Sequence, residues 1–193
     1  IAIDTSRRTT IEINEERATV PVEPGVTGAA LREALAAKGY KTKFWGSYSG
    51  LFATVGGGMS MNAISHGQGC AADAALSFEI ITGTGDMLRT GSAINGKGVP
   101  FFRHYGPDLT GLFTGDCGAL GVKARITLGL ETMPPAFATA SFSFDSFEAM
   151  HSAFRAAAIA GVVEENFGLS ETLQQGQLGK ADAHYDLAKD GIA

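Results

Sequence analysis

Cysteine, tryptophan and proline are scarce in this chain, with two, one and six residues among 193. Two thiols, Cys70 and Cys117, are too few for a disulfide scaffold, so a reducing cytoplasm is the expected setting, with a pairing between the two left open. No apolar run approaches the roughly 20 residues of a membrane-crossing helix, and the first residues lack the charged-then-apolar pattern of a secretory signal. A surface of one charge is missing too. Fifteen Lys and Arg stand against twenty Asp and Glu, a formal net charge of −5, with the basic residues scattered among acids. That leaves no basic stripe of the kind that tracks a nucleic-acid backbone. The chain starts with Ile1-Ala2-Ile3 and not Met, which suggests a segment or a processed product.

Glycine, by contrast, is abundant. Its 26 residues are about twice the usual share of roughly 7%, and without a collagen period they read as turns and close backbone approaches. Two stretches concentrate them: Gly46-Ser47-Tyr48-Ser49-Gly50-Leu51-Phe52-Ala53-Thr54-Val55-Gly56-Gly57-Gly58-Met59-Ser60-Met61-Asn62, and Gly115-Asp116-Cys117-Gly118-Ala119-Leu120-Gly121-Val122. Without a Cβ, main-chain N–H groups can come close to a phosphate or a flat ring, so a nucleotide-like cofactor is the first expectation. Tight turns in a β-rich domain are the competing explanation.

The patterning predicts an α+β chain. Alternation over residues 1–3, 9–13 and 18–22 predicts an antiparallel meander. Thr27 is positioned to cap a helix over 28–38, with an apolar stripe at Ala30, Leu31, Ala34 and Leu35 and a stop at Gly39. A short helix is expected near 56–64, and strands over 75–82 and 87–90 joined by Gly83-Thr84-Gly85-Asp86. A loop excursion is expected over 91–100, a helical turn over 109–113, a strand over 121–130 and another over 138–144. Asp145-Ser146 with Glu148 resembles a capping box before a helix ending at Gly161. The tail from Gln174 is polar and weakly periodic.

Several familiar signatures nearly appear. Gly91 to Gly98 differs by one residue from a phosphate-binding P-loop, but glycine replaces the Ser or Thr that would hold magnesium. No G-x-G-x-x-G opens a helix after a parallel strand, and Tyr48 occupies the serine position of a hydrolase elbow. His66 and Cys70 are four apart, yet no second ligand pair accompanies them, so no metal site is expected. Arg103-His104-Tyr105 is either a surface loop packing its aromatics or a ligand-proximal cluster.

An ordered series of segments resembles one family. Residues 18–27 (ATVPVEPGVT) look like its strand and turn before the first helix, and Ala53-Thr54-Val55-Gly56-Gly57 followed by Asn62 matches its T-[IV]-G-G loop. Ala72-Asp73, Phe78-Glu79-Ile80-Ile81, residues 106–113 (GPDLTGLF) and Gly118-Ala119-Leu120-Gly121-Val122 follow in order. The chain thereby resembles the FAD-binding domain of the vanillyl-alcohol oxidase and p-cresol methylhydroxylase (PCMH) superfamily, FAD-linked oxidases that include glycolate oxidase and D-lactate dehydrogenase. The resemblance covers most of the chain, to about Leu173.

The resemblance implies α+β subdomains clasping FAD, with a mostly antiparallel sheet flanked by helices. It implies the remainder of a first subdomain over 1–45, a second over 46–135 and the start of a substrate or cap domain over 136–193. The cofactor-binding residues it implies are Gly46, Ser47, Ser49, Gly50, Leu51, Thr54, Gly56, Gly57, Asn62, Ser65, Gly69, Asp73, Gly118, Gly121 and Val122. Gln68 and Cys70 stand where a tyrosine and a small polar residue are common. An upstream glycine-rich pyrophosphate loop and most of the cap are expected to lie outside this chain.

The function so implied is FAD-dependent oxidation of a small organic substrate, such as a 2-hydroxy acid or an alcohol, with an unknown electron acceptor and an open option of homo-oligomers. The 193 residues alone are expected to be inactive. Arg103 and His104 are the candidate catalytic residues: an arginine can pair with a carboxylate through two hydrogen bonds, and a histidine can take a hydroxyl proton. The rival is a non-catalytic remnant domain that binds FAD weakly or not at all and serves in assembly.

Overall fold

A computed structural model describes residues 3–43, 52–65, 67 and 69–170. The chain divides into two compact units, the first ending at Met133 and the second beginning at Pro134.

The first unit is built on an antiparallel sheet of five strands, β1 (Thr19–Val22), β2 (Tyr40–Thr42), β3 (Ala75–Ile81), β4 (Met87–Arg89) and β5 (Val122–Thr132), in the order β1-β5-β3-β4, with β2 also pairing with β5. The register sets Val20 opposite Leu128 and Val22 opposite Ile126, and Phe78 is also opposite Ile126. Because side chains alternate along a strand, these apolar residues share one face. Leu31 and Leu35 of α1 (Gly28–Ala36) join them in the core. Burying Phe78 completely stabilises by roughly 3 kcal/mol. β5 buries residues on both faces, Ile126 and Leu128 on one and Thr127 on the other, while the register shift between Glu79 and Ile80 pairs the buried Lys123 with Ile80, on the side of Phe78 and Ile126.

Local chemistry sets most boundaries as expected. The Thr27 hydroxyl accepts the Ala30 N–H at 3.3 Å, and after α1 the chain turns at Gly39, whose φ is +75°. β3 and β4 are joined by the expected glycine turn, where the Thr82 N–H donates to the Asp86 carbonyl at 3.0 Å. The meander is shorter than expected. Residues 9–13 make no strand, and only single bridges join Ile11 to Val22 and Asn14 to Thr19.

The excursion after β4 closes on itself. Following a 3-10 turn at Gly91–Ala93, the Asn95 side chain accepts the N–H groups of Lys97 and Gly98. Ser92 donates its hydroxyl to the Val99 carbonyl at 2.6 Å and accepts the Phe101 N–H at 3.1 Å. No helix starts directly at Gly98, as a phosphate loop would require.

The second unit contributes α5 (Phe147–Ala160), capped by Ser146, whose hydroxyl accepts the Ala149 N–H at 3.2 Å, and ended at Gly161. Glu148 is the second helical residue, one short of the position from which it could reach back, so Ser146 caps alone. The strand expected over 138–144 is absent; these residues are exposed and in no ladder. Their alternation supplies a face, but a strand also needs a hydrogen-bonded neighbour.

Candidate functional site

Three short elements carry the residues singled out in the sequence: α2 (Val55–Met61), α3 (Ala71–Ala74) and the loop 113–121 that leads into β5. α2 begins where Thr54 leaves helical geometry and its hydroxyl accepts the Gly57 N–H at 3.2 Å. Gly56 is pressed on the preceding strand's exit: a Cβ there would lie 2.6 Å from Pro24 Cβ. Asn62 ends the helix in left-handed geometry, φ +47°, and turns its Oδ1 to the Ala72 N–H at 3.2 Å. One side chain thus ties the end of α2 to the start of α3.

The second glycine loop docks on the first. Gly115 donates its N–H to the Met59 carbonyl at 3.0 Å, and Cys117 donates to the Ser60 carbonyl at 2.9 Å. Asp116 organises the turn from inside, accepting the N–H groups of Gly118 at 3.0 Å and Leu120 at 3.4 Å. Its carboxylate also meets Lys123 Nζ at 2.6 Å, and the same ammonium donates to Ser60 Oγ at 3.0 Å. Both charged side chains are only 2% exposed. Gly121 packs on β3, where a Cβ would lie 2.5 Å from Ile80 Cγ2, and Val122 pairs with Ile81. The 115–121 loop and α2, some fifty residues apart in sequence, are thus hydrogen-bonded to one another.

Beside α3, the Asp73 carboxylate accepts the Cys70 N–H at 2.8 Å and the Cys70 thiol at 3.4 Å. These two hydrogen bonds hold its pKa below the ordinary aspartate value, against the opposing effect of partial burial. Gly69, at φ +90°, is bare where a Cβ would strike that carboxylate. Ser65 donates its N–H to the Gly69 carbonyl at 2.9 Å.

Arg103 is engaged within the protein. Its Nε and Nη2 donate to Asp108, the latter at 2.7 Å, and Nη1 donates to the Ala72 carbonyl. The guanidinium lowers the Asp108 pKa, assisted by the Gly111 N–H and opposed by partial burial. So placed, Arg103 fastens the 103–108 loop to α3, turned away from the role of receiving a free carboxylate. His104 is exposed next to it, and Tyr105 packs edge-on against Phe102.

Three of the glycines expected to offer free amides spend them internally. Gly56 donates to Pro24, Gly57 to Thr54 and Gly118 to Asp116. What they leave open is space. Among the described residues, a Cβ on Gly58 or Gly118 would meet no atom within 4 Å, and on Gly57 only the Thr54 hydroxyl. Backbone is thus left open at Gly58 on α2 and at Gly118 on the docked loop, which suits the close approach of a flat ring or a diphosphate. Gly46, Ser47, Ser49, Gly50 and Leu51 lie outside the described residues, as does His66. Among the described residues no cluster of metal-ligating side chains occurs, and no helix is long and apolar enough to cross a membrane. Sequence reasoning missed the Asp116–Lys123–Ser60 group. Its one signal was a lysine on the alternating apolar segment 121–130.

Residues 1–91 match the family model described as an FAD binding domain. Over 147 residues the chain is 31% identical to the probable mitochondrial D-lactate dehydrogenase of Danio rerio, a match covering 72% of this chain and 27% of that protein. It is 30% identical over 146 residues to glycolate oxidase subunit GlcD of Bacillus subtilis (strain 168), covering 72% and 29%. Two crystal forms of alkyldihydroxyacetonephosphate synthase share the fold, each with a TM-score of 0.56 over 69% of this chain and 23% of theirs, at 22% and 23% identity. The chain spans little more than a quarter of the length of the curated relatives it matches.

Proposed function

We propose, from the premise that this chain carries an FAD-binding domain of the PCMH type found in FAD-linked oxidases and dehydrogenases, that it forms part of the flavin cradle of an enzyme oxidising a small 2-hydroxy acid or alcohol. The observation that carries this reading is the docking of the 115–121 loop on α2, which joins the second glycine segment to the glycine-bearing helix of the first. The names of the two curated relatives, D-lactate dehydrogenase and glycolate oxidase, both point to 2-hydroxy acids.

Bound FAD would supply the redox chemistry, accepting two electrons from the substrate carbon. The chain's own part is binding and orientation. Gly57, Gly58 and Gly118 leave room for the cofactor, and Thr54 and Asn62 hold the ends of α2. Asp73 and Arg103 fix α3 and the 103–108 loop alongside. His104, exposed at the tip of that loop, is the remaining candidate for taking a substrate proton.

A second reading, a remnant domain retained for assembly with weak or no FAD binding, draws on the internal satisfaction of the Gly56, Gly57 and Gly118 amides. Titrating FAD into the purified chain, followed by quenching of flavin fluorescence, separates the two. Saturable binding that survives gel filtration is expected for a cradle. Flavin that stays free at every protein concentration favours the remnant.

A further inference from the structure

We infer that the buried Asp116–Lys123 pair is a positioning device for the cofactor surface, setting the spacing between α2 and the 115–121 loop. This rests on the FAD reading above.

Three elements converge on the Lys123 ammonium. It leaves β5, where Lys123 is paired with Ile80, and reaches Asp116 of the loop at 2.6 Å and Ser60 of α2 at 3.0 Å. The Phe78 ring, at 5.9 Å, closes another side. Asp116 in turn gathers Gly118 and Leu120, so its carboxylate fixes both the shape of the loop and its distance from α2. A hydrophobic pair could fill the same volume, and a buried ion pair contributes little net stability once desolvation is counted. What charge and direction add is geometric: the observed placement of the loop satisfies the carboxylate, the ammonium and the serine hydroxyl together. Gly118 presents its open backbone on that loop, and Gly57 and Gly58 present theirs on α2. A shift between the two elements would change the width of the surface without unfolding the sheet.

The test uses Lys123→Met combined with Asp116→Asn. The asparagine keeps an oxygen for the Gly118 N–H while both charges are removed, so no unpaired charge is buried. Lys123→Met alone is the comparison that strands the carboxylate. For the double variant, thermal melting close to that of the parent chain is expected, together with FAD affinity about tenfold weaker and an altered visible circular dichroism of the bound flavin. Hydrogen exchange should accelerate at the Gly115 and Cys117 amides while the amides of β3 keep their protection. Ser60→Ala should weaken FAD in the same direction by a smaller factor. A folded double variant that binds FAD within twofold of the parent and keeps its exchange pattern overturns the inference. If the parent itself binds no FAD, the cradle reading falls, and with it the cofactor role of the pair. Exchange at Gly115 and Cys117 then still reports whether the pair holds the two loops together.

Discussion

The hydroxyls of Thr90 and Thr110 lie 2.8 Å apart with both residues fully buried, joining the exit of β4 to α4 (Leu109–Leu112). Thr90 Oγ1 also accepts the Phe78 N–H at 2.8 Å, and its carbonyl accepts the Ser77 hydroxyl. Thr90→Val would leave the Phe78 amide in the core without an acceptor, at a cost of about 1–3 kcal/mol. Urea unfolding of the single and double Val variants measures this. Coupling between the two sites of less than about 0.5 kcal/mol would show that the hydroxyls do not act together.

Gly58→Ala separates stability from binding. The methyl group would meet nothing among the described residues, and replacing a helical glycine by alanine is expected to stabilise by up to about 1 kcal/mol. On the cradle reading the same methyl occupies the place where the cofactor approaches. Melting temperature should rise while FAD affinity falls. A rise in both places the flavin elsewhere.

Gly121 and Gly118 make a contrasting pair. Gly121→Ala forces a Cβ to within 2.5 Å of Ile80 and should cost roughly 1–3 kcal/mol through overpacking. Gly118→Ala has open space but a φ of +74°, so only backbone strain of about 1–2 kcal/mol opposes it. Chemical denaturation of the two variants, read beside FAD titration, distinguishes packing from ligand clearance. Loss of affinity in the Gly118 variant beyond its loss of stability supports the cradle.

Acid should unfold the first unit in a specific way. Asp108 and Asp73 both have folded pKa values below the ordinary one, the former chiefly through Arg103, the latter through Cys70. A depressed carboxylate contributes stability above its unfolded value, about 3.9, and loses that contribution as pH falls through the folded value. The urea midpoint should therefore hold near neutrality and decline below about pH 4. Asp108→Asn should flatten part of that decline and lower the neutral plateau, since it leaves Arg103 less well paired. An acid limb identical to the parent's would remove Asp108 from the account.

Arg103 and His104 can be told apart by the same kind of measurement. Arg103→Lys cannot reproduce the forked contact with Asp108 and the reach to Ala72, so it should destabilise the chain measurably. His104→Ala, at an exposed position, should change stability by no more than about 0.5 kcal/mol. In an enzyme containing this domain, a selective fall of kcat in the histidine variant with a shifted pH profile would mark a proton-transfer role.

Local signals in the sequence carried much of this architecture. Thr27, Ser146 and the Gly83–Asp86 turn act within a few residues of themselves, so their chemistry can be read without a partner. The glycine segments were legible as places of close approach, though in part for another reason: Gly56 and Gly121 admit Pro24 and Ile80. What could not be read was long-range pairing. Lys123 finds Ser60 across 63 residues, and Arg103 finds the Ala72 carbonyl across 31. The alternation at 138–144 failed for the same physical cause, because a strand is defined by a neighbour that its own residues do not specify.

Among the described residues, β5 is the last strand of the first unit to be synthesised, yet β1 and β2 have no other strand as a ladder partner. On a ribosome, Val20 and Val22 must wait for roughly a hundred further residues, on the order of ten seconds of elongation. A chain ending anywhere before residue 122 would never close the sheet, however complete its glycine segments. Throughout that interval β1 is held only by its bridges to Ile11 and Asn14, and Val20 lacks Leu128 opposite it, which leaves apolar surface for whatever shields such surface during translation.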